Sequence, residues 1–106
     1  MRFSHKDKKD SRVARQSTYA FDYPSKLDQA PKEQGAFVLL NESSDVMYVG
    51  VASANCFEKT LAALIDTIAT DKVVAFRWFV TECENSAKSL TQDWISKYQP
   101  NNQNIR

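Results

Sequence analysis

The sequence has few of the residues from which metal and disulfide sites are built. It contains two cysteines and one histidine among 106 residues, and neither Cys56 nor Cys83 belongs to a Cys-x-x-Cys motif. Cysteine and histidine ligands usually recur at short spacings in a metal site, so we expect no site of that kind. Two isolated cysteines also fit a reducing compartment better than an oxidising one, which makes a cytoplasmic location the expectation.

Long apolar runs are missing as well. No stretch approaches the roughly 18 apolar residues that identify a membrane-spanning helix. The first fifteen residues are basic and lack the apolar segment of a secretory signal. We therefore expect neither a membrane span nor a membrane partner.

Apolar and aromatic residues are nevertheless plentiful enough for a folded core. Hydrophobic residues make up 42% of the chain and include six Phe, four Tyr and two Trp. A chain of this length and composition normally forms one compact domain. The composition excludes a chain that is disordered throughout.

Charge is spread unevenly along the chain. Residues 1–15 carry six Lys or Arg and two Asp, a net +4, whereas the net charge of the whole chain is +1, which leaves −3 on the remainder. This pattern predicts a basic, flexible arm over residues 1–18 and a single domain over residues 19–106. Arg12 and Arg15 of the arm are candidate phosphate contacts. The alternative is a solvated arm that contacts nothing, and the acidic remainder is poorly suited to gripping DNA by itself.

The apolar pattern predicts a β-hairpin followed by a helix. Apolar runs over residues 36–40 and 46–51, separated by a short polar turn, are typical of two antiparallel strands. The apolar spacing then becomes helical over residues 57–68. Asn55 and Glu58 are placed as a capping box, so we expect this helix to begin at Asn55.

A third strand and a second helix complete the predicted domain. Residues 73–80 are β-branched and aromatic, which favours a strand. Asn85 is the expected N-cap of the last helix, and Pro100 ends that helix. Upstream of the hairpin, a short helical turn over residues 25–30 is expected to pack on the core. The sequence thus predicts an α/β (α+β) fold: a small three-stranded antiparallel sheet flanked by helices, in the order β-β-α-β-α.

Both glycines of the chain lie in the predicted hairpin. Gly35 begins the triplet Gly-Ala-Phe, Gly50 ends the triplet Tyr-Val-Gly, and ten residues separate the two triplets. The last helix carries a leucine and then Trp-Ile, and a Gln-Pro step and several asparagines follow it. This pattern, over residues 35–104, resembles the GIY-YIG nuclease family. The resemblance implies that the two triplets lie on the first two strands of a small antiparallel sheet.

The resemblance also implies metal-dependent phosphodiester cleavage, but three of the implied catalytic side chains are replaced. In that family, tyrosines of both triplets and an arginine position the phosphate and the attacking water, while a helix glutamate binds a divalent metal. Tyr48 matches one tyrosine. Phe37, Thr60 and Thr91 stand where the resemblance implies the other tyrosine, the arginine and the glutamate. A threonine hydroxyl is a poor sole ligand for a hard cation, so we expect no cofactor, and a metal such as Mg²⁺ only if the site is active.

Two further cations are candidate phosphate contacts. Lys59 precedes Thr60, yet one helical step turns its side chain about 100° away. Arg77 interrupts the apolar strand, where it pairs either with an acidic side chain or with a phosphate.

Three functions fit these observations. The preferred one is a catalytically inactive GIY-YIG-like domain that binds DNA, RNA or a protein partner. The first alternative is an active metal-dependent endonuclease with a rearranged site. The second is a protein-interaction domain with no role in nucleic-acid binding.

Overall fold

The computed structural model describes residues 2–4, 6–17, 20–23, 25–67 and 72–100. Its strands and α-helices, in chain order, are β1 (Val13–Gln16), β2 (Phe21–Asp22), β3 (Gly35–Leu40), β4 (Val46–Ala52), α1 (Phe57–Thr67), β5 (Ala75–Thr81) and α2 (Glu84–Tyr98). Two 3-10 helices, Asp7–Lys9 and Leu27–Gln29, lie before β3. Within these described residues, no helix is both long and apolar enough to cross a membrane.

The predicted hairpin is present. β3 and β4 pair antiparallel, from Gly35 opposite Ala52 to Leu40 opposite Val46. The connecting turn closes on the side chain of Asn41, whose amide oxygen accepts the backbone N–H groups of Ser43 (2.9 Å) and Asp45 (3.0 Å). A side-chain oxygen that binds the backbone two residues ahead is the usual way in which asparagine stabilises a turn.

The sheet has five strands, so the prediction of three is wrong. β5 pairs with β3 along one edge and with both β1 and β2 along the other. Because β5 is buried, the backbone groups on its second edge need partners, and two short strands supply them. These strands are too short and too polar to show the alternation that identifies a strand in a sequence. β1 lies inside the predicted arm; the division of the chain at residue 18 stays a prediction.

Apolar side chains cover both faces of the sheet. On the first face, which we call the α1 face, Phe37, Leu39 and Phe76 of the sheet pack with Phe57 and Leu61 of α1. The second face, the α2 face, is covered by Leu90, Trp94 and Tyr98 of α2, which pack on Ala36, Val38, Val49 and Phe79. β3 is buried on both faces, which explains its continuous apolar sequence.

Both helices begin one or two residues away from the predicted caps. α1 begins at Phe57, and Asn55 adopts a left-handed backbone with φ of 65°, so it does not cap the helix as the sequence predicts. α2 begins at Glu84 after Cys83, which places Asn85 inside the helix. The helix ends as predicted, with Gln99 left-handed and its N–H donating to the Ile95 carbonyl (2.9 Å), immediately before Pro100.

Candidate functional site

Each glycine of the two triplets lies where a side chain would overlap a neighbour. A Cβ on Gly35 would overlap the backbone carbonyl of Phe79 on β5. A Cβ on Gly50 would overlap the ring of Phe37 and would lie 2.9 Å from the ring of Tyr48. Close approach of a neighbouring strand or ring therefore accounts for both glycines, independently of any catalytic role.

Phe37 and Tyr48 form a ring pair on the α1 face. Phe37 lies opposite Gly50 in the hairpin register, and its ring stacks on that of Tyr48 with centroids 6.1 Å apart. Phe57 of α1 packs edge-on against Phe37, which is fully buried. Tyr48 is partly exposed, and burial raises the pKa of its phenol above the usual value. The Tyr48 hydroxyl therefore stays protonated at neutral pH and donates hydrogen bonds more readily than it accepts a proton.

Thr91 reaches the same strand from the other face of the sheet. It is 7% exposed in the middle of α2, and its hydroxyl donates to the carbonyl oxygen of Gly50 (3.3 Å). The hydrogen bond joins α2 to the second glycine triplet. It makes Thr91 a packing residue of the interface between α2 and β4, with its one donor directed at the backbone.

The donor groups present do not fit the divalent metal that the resemblance implies. Thr91 offers one neutral oxygen that is already hydrogen-bonded, whereas Mg²⁺ and Mn²⁺ are held by carboxylates in sites of this class. Asp93, the nearest carboxylate in sequence, pairs with Arg12 (2.7 Å). In the described part of the chain, no group of three or more His, Cys, Asp or Glu side chains is arranged to hold a metal ion.

Thr60 and Lys59 lie on α1 without joining the ring pair. The Thr60 N–H donates to the Cys56 carbonyl (2.8 Å) as part of the helix, and its side chain is partly buried. Lys59 is exposed one position earlier. Neither side chain hydrogen-bonds to a described residue. The structure therefore brings together Phe37, Tyr48, Gly50 and Thr91, but adds no positive charge to them.

Arg12 and Arg15, the two arginines of the predicted arm that were candidate phosphate contacts, are bound to carboxylates. The Arg12 guanidinium donates hydrogen bonds to Asp10, to Asp93 and to the Ser89 hydroxyl. The bond to Asp10 raises the pKa of Arg12 most, and the bond to Asp93 raises it second. Arg15 pairs with Glu33 and lies over the Trp78 ring, 5.5 Å from its centroid. Their role as phosphate contacts stays a prediction, and a phosphate would have to compete with these acids.

Arg77 lies on the α2 face rather than with the ring pair. Its neighbours on β5, Phe76 and Trp78, belong to the α1 face, and side chains alternate along a strand. Arg77 is partly buried, and it makes no hydrogen bond or ion pair with any residue that the structure describes. The sequence singled out this arginine as an unusual charge, and its role as a phosphate contact stays a prediction. The sequence did not indicate that Arg2 and Lys8, which belong to the predicted arm, lie with Arg77 at one cavity.

Comparison with known proteins supports the fold. No family model and no curated protein matches the chain. Among solved structures, it is similar to the GIY-YIG N-terminal endonuclease domain of UvrC from Thermotoga maritima, solved as a point mutant bound to its catalytic divalent cation. The sequences are 24% identical over 77% of this chain and 93% of that chain, with a TM-score of 0.61. The predicted GIY-YIG-like fold is therefore confirmed, with an antiparallel sheet and two α-helices.

Proposed function

We propose that this chain is a catalytically inactive GIY-YIG-like domain that works as a binding module for nucleic acid or for a protein. One observation carries the proposal. At the helix position where the resemblance implies a metal-binding glutamate, Thr91 is buried and its hydroxyl binds the Gly50 carbonyl. A position used in this way holds the helix to the sheet instead of holding a metal.

The groups that remain beside Thr91 do not supply the missing chemistry. Hydrolysis of a phosphodiester needs a group that activates water and a charge that stabilises the phosphate in the transition state. Phe37 has no ionisable group, and burial raises the pKa of Tyr48, so neither residue serves as a base at neutral pH. Stabilising charge is missing too, because Lys59 is exposed on α1 and makes no hydrogen bond to the ring pair.

The preference for nucleic acid as partner rests on the fold and on the exposed groups of the α1 face. The similar solved domain is described as an endonuclease. In this chain, Tyr48 and Lys59 offer a partly exposed ring and a free ammonium group for contact with a base or a phosphate. The protein-partner alternative gains support from Arg12 and Arg15, since both are already paired with carboxylates.

A nicking assay with supercoiled plasmid, in Mg²⁺ and in Mn²⁺, tests the inactivity. We expect cleavage by the wild-type chain to equal that of the Tyr48→Phe variant, at the level of a protein-free control. Cleavage that rises with protein concentration and is lost in Tyr48→Phe would contradict the proposal and support the rearranged endonuclease.

Binding is tested separately with labelled single-stranded DNA, duplex DNA and RNA at several salt concentrations. We expect affinity to fall as salt rises, because phosphate contacts release counterions, and we expect Lys59→Gln to weaken binding by severalfold. Lys88→Gln changes another exposed lysine, which lies on α2 across the sheet, and is the control. Absence of salt-dependent binding to all three ligands would exclude nucleic acid and favour a protein partner.

A further inference from the structure

Three cations line one cavity on the α2 face, away from Tyr48 and Phe37. The cavity has a volume of about 190 Å³, and its lining includes the side chains of Arg2, Lys8, Ser44 and Arg77. Phe3, Ala20 and Leu40 complete the wall and belong to the apolar cluster under α2. Among the described residues that line it, none is acidic.

The cations are held by ordered backbone. The N–H of Phe3 donates to the Ser44 carbonyl (3.1 Å), and Arg2 forms a β-bridge with Asp45 beside it. The Phe3 ring packs on Phe79, Trp94 and Tyr98, at centroid distances of 5.4, 5.2 and 5.6 Å. These contacts hold Arg2 and Phe3 in place beside α2.

A second set of contacts fixes Lys8. Its backbone carbonyl accepts a hydrogen bond from the Gln16 side chain (2.7 Å), and Gln16 belongs to β1 at the edge of the sheet. The backbone of Lys8 is therefore attached to the sheet, and its position relative to Arg77 on the neighbouring strand β5 is defined.

Within the part of the chain that the structure describes, Arg77 is the partly buried charge at this cavity that has no counter-charge. The pKa of Lys8 is lowered, first by burial and second by repulsion from the nearby Arg77, and burial lowers the pKa of Arg77. Arg77 has no hydrogen-bonding or ion-pair partner among the described residues. A desolvated cation without a counter-charge destabilises a fold, and an anion in the cavity would remove that cost.

Two carboxylates of the surrounding segment, Asp7 and Asp10, have partners elsewhere, and the Asp45 carboxylate beside Ser44 accepts a hydrogen bond from the Asn41 side chain (3.5 Å). Asp7 binds the Tyr98 hydroxyl and the Lys97 ammonium group (2.9 Å). Asp10 binds Arg12 with both oxygens (2.9 and 2.8 Å). These acids are therefore unavailable to neutralise the cavity without breaking other ion pairs.

We propose that this cavity is a binding site for a phosphate group, held by Arg77 and Lys8 with Arg2 at the rim. Phosphate suits the site because its oxygens accept several hydrogen bonds at once, and a guanidinium presents a planar fork of donors to them. The site does not depend on the proposed function, since it lies on the opposite face of the sheet from Tyr48. The phosphate can belong to a small phosphate ester or to an oligonucleotide, and the two sources are separable by experiment.

The test is an NMR titration of the isotope-labelled full chain with inorganic phosphate. We expect saturable shifts at the amides of Lys8, Ser44 and Arg77. Arg77→Gln should weaken binding about tenfold, the loss expected for one charge-assisted hydrogen bond. Lys88→Gln removes an exposed cation from α2 outside the cavity and should change affinity less than about twofold.

Two titrations identify the source of the phosphate. A 5′-phosphorylated oligothymidylate that binds more tightly than inorganic phosphate, through the same residues, would identify an oligonucleotide. Equal or weaker binding would identify a small phosphate ester.

The proposal is overturned if no saturable shift occurs at these residues, or if Arg77→Gln binds as tightly as the wild type. If Arg77→Gln fails to give a folded spectrum, Lys8→Gln takes its place with the same two outcomes. Nuclease activity would overturn the proposed function and leave this site standing. Absence of phosphate binding would remove this site and leave the inactivity of the α1 face untouched.

Discussion

The two faces of the sheet differ in what their polar groups do. On the α1 face, the residues that resemble a nuclease motif are joined by ring stacking, and no charged group is hydrogen-bonded to them. On the α2 face, Arg77 and Lys8 line a cavity together, and of these two only Arg77 was a candidate from the sequence. The comparison teaches that a sequence motif can locate a scaffold while the residues available for binding gather elsewhere.

Restoring the implied metal ligand should damage the fold. Thr91→Glu would place a carboxylate at a position that is 7% exposed, with a backbone carbonyl as its nearest polar neighbour. An unpaired buried charge costs on the order of 3–5 kcal/mol, so we expect a loss of that size in the free energy of unfolding in urea. Thr91→Val, which keeps the shape and removes only the hydroxyl, should cost about 1 kcal/mol. A stable Thr91→Glu variant that is further stabilised by Mn²⁺ would show that a metal site can still form where α2 meets β4.

Gly35 and Gly50 should differ in their tolerance of alanine. Gly35→Ala pushes a methyl group against the backbone of β5, which cannot move without breaking the sheet, and we expect a cost of about 3 kcal/mol or more. Gly50→Ala meets the ring of Phe37, and overpacking against a side chain typically costs about 1–3 kcal/mol. Urea unfolding of the two variants measures the difference. Equal, small losses would mean that the strands at Gly35 are less closely packed than the structure shows.

Tyr23 should make stability fall at high pH. Its hydroxyl donates to the Leu61 carbonyl (2.7 Å), and burial raises its pKa from 10.0 to about 12. Below pH 10 the phenol is protonated in both the folded and unfolded states, and its contribution to stability is complete. As the pH rises from 10 to 12, the unfolded chain loses the proton first, so the free energy of unfolding decreases, by about 2–3 kcal/mol in all.

Comparison with Tyr23→Phe isolates this effect. The variant loses one buried hydrogen bond, about 1 kcal/mol at pH 8, and should show a smaller decrease in stability between pH 8 and pH 11 than the wild type. Parallel pH profiles for the two proteins would contradict the assigned burial of Tyr23. Lysines titrate in the same range in both proteins, and their contribution cancels in the comparison.

The ion pairs of β1 and its flanks should contribute least. Arg12→Gln removes contacts with Asp10 and Asp93, and Arg15→Gln removes a pair with Glu33 on the surface. Exposed pairs contribute up to about 1 kcal/mol and are screened by salt. We expect Arg12→Gln to lower stability by about 1 kcal/mol in low salt and Arg15→Gln by less. A loss that does not shrink in 1 M salt would point to packing of the arginine stem instead of charge.

The core of the fold was predictable because its signals are local. The hairpin, the third strand and the second helix follow from runs of apolar residues and from turn or stop residues such as Asn41 and Pro100. The two edge strands were not predictable, since a two-residue strand has no period and its pairing with β5 is a tertiary contact.

The candidate sites were predictable to different degrees. Glycine spacing singled out Phe37 and Tyr48, and the resemblance of the last helix singled out Thr91, but the hydrogen bond of Thr91 to Gly50 required the structure. The phosphate cavity was not predictable, because Arg2 and Lys8 reach Arg77 only when Phe3 packs under α2. The one signal available in the sequence was Phe3, a single phenylalanine within a basic segment. Its role in packing depends on contacts with residues that are distant in the sequence.

A Mn²⁺ titration of the full chain, followed by NMR, is the most direct test of the proposed loss of the metal site. Paramagnetic Mn²⁺ broadens signals close to any site that it occupies. If the metal site that the resemblance implies is lost, the signals of Phe37 and Tyr48 on the α1 face and of Thr91 on α2 should broaden no more than those of exposed residues far from them. Selective, saturable broadening of these three residues at submillimolar Mn²⁺ would contradict the proposed loss of the metal site. It would support the alternative of a metal-dependent endonuclease.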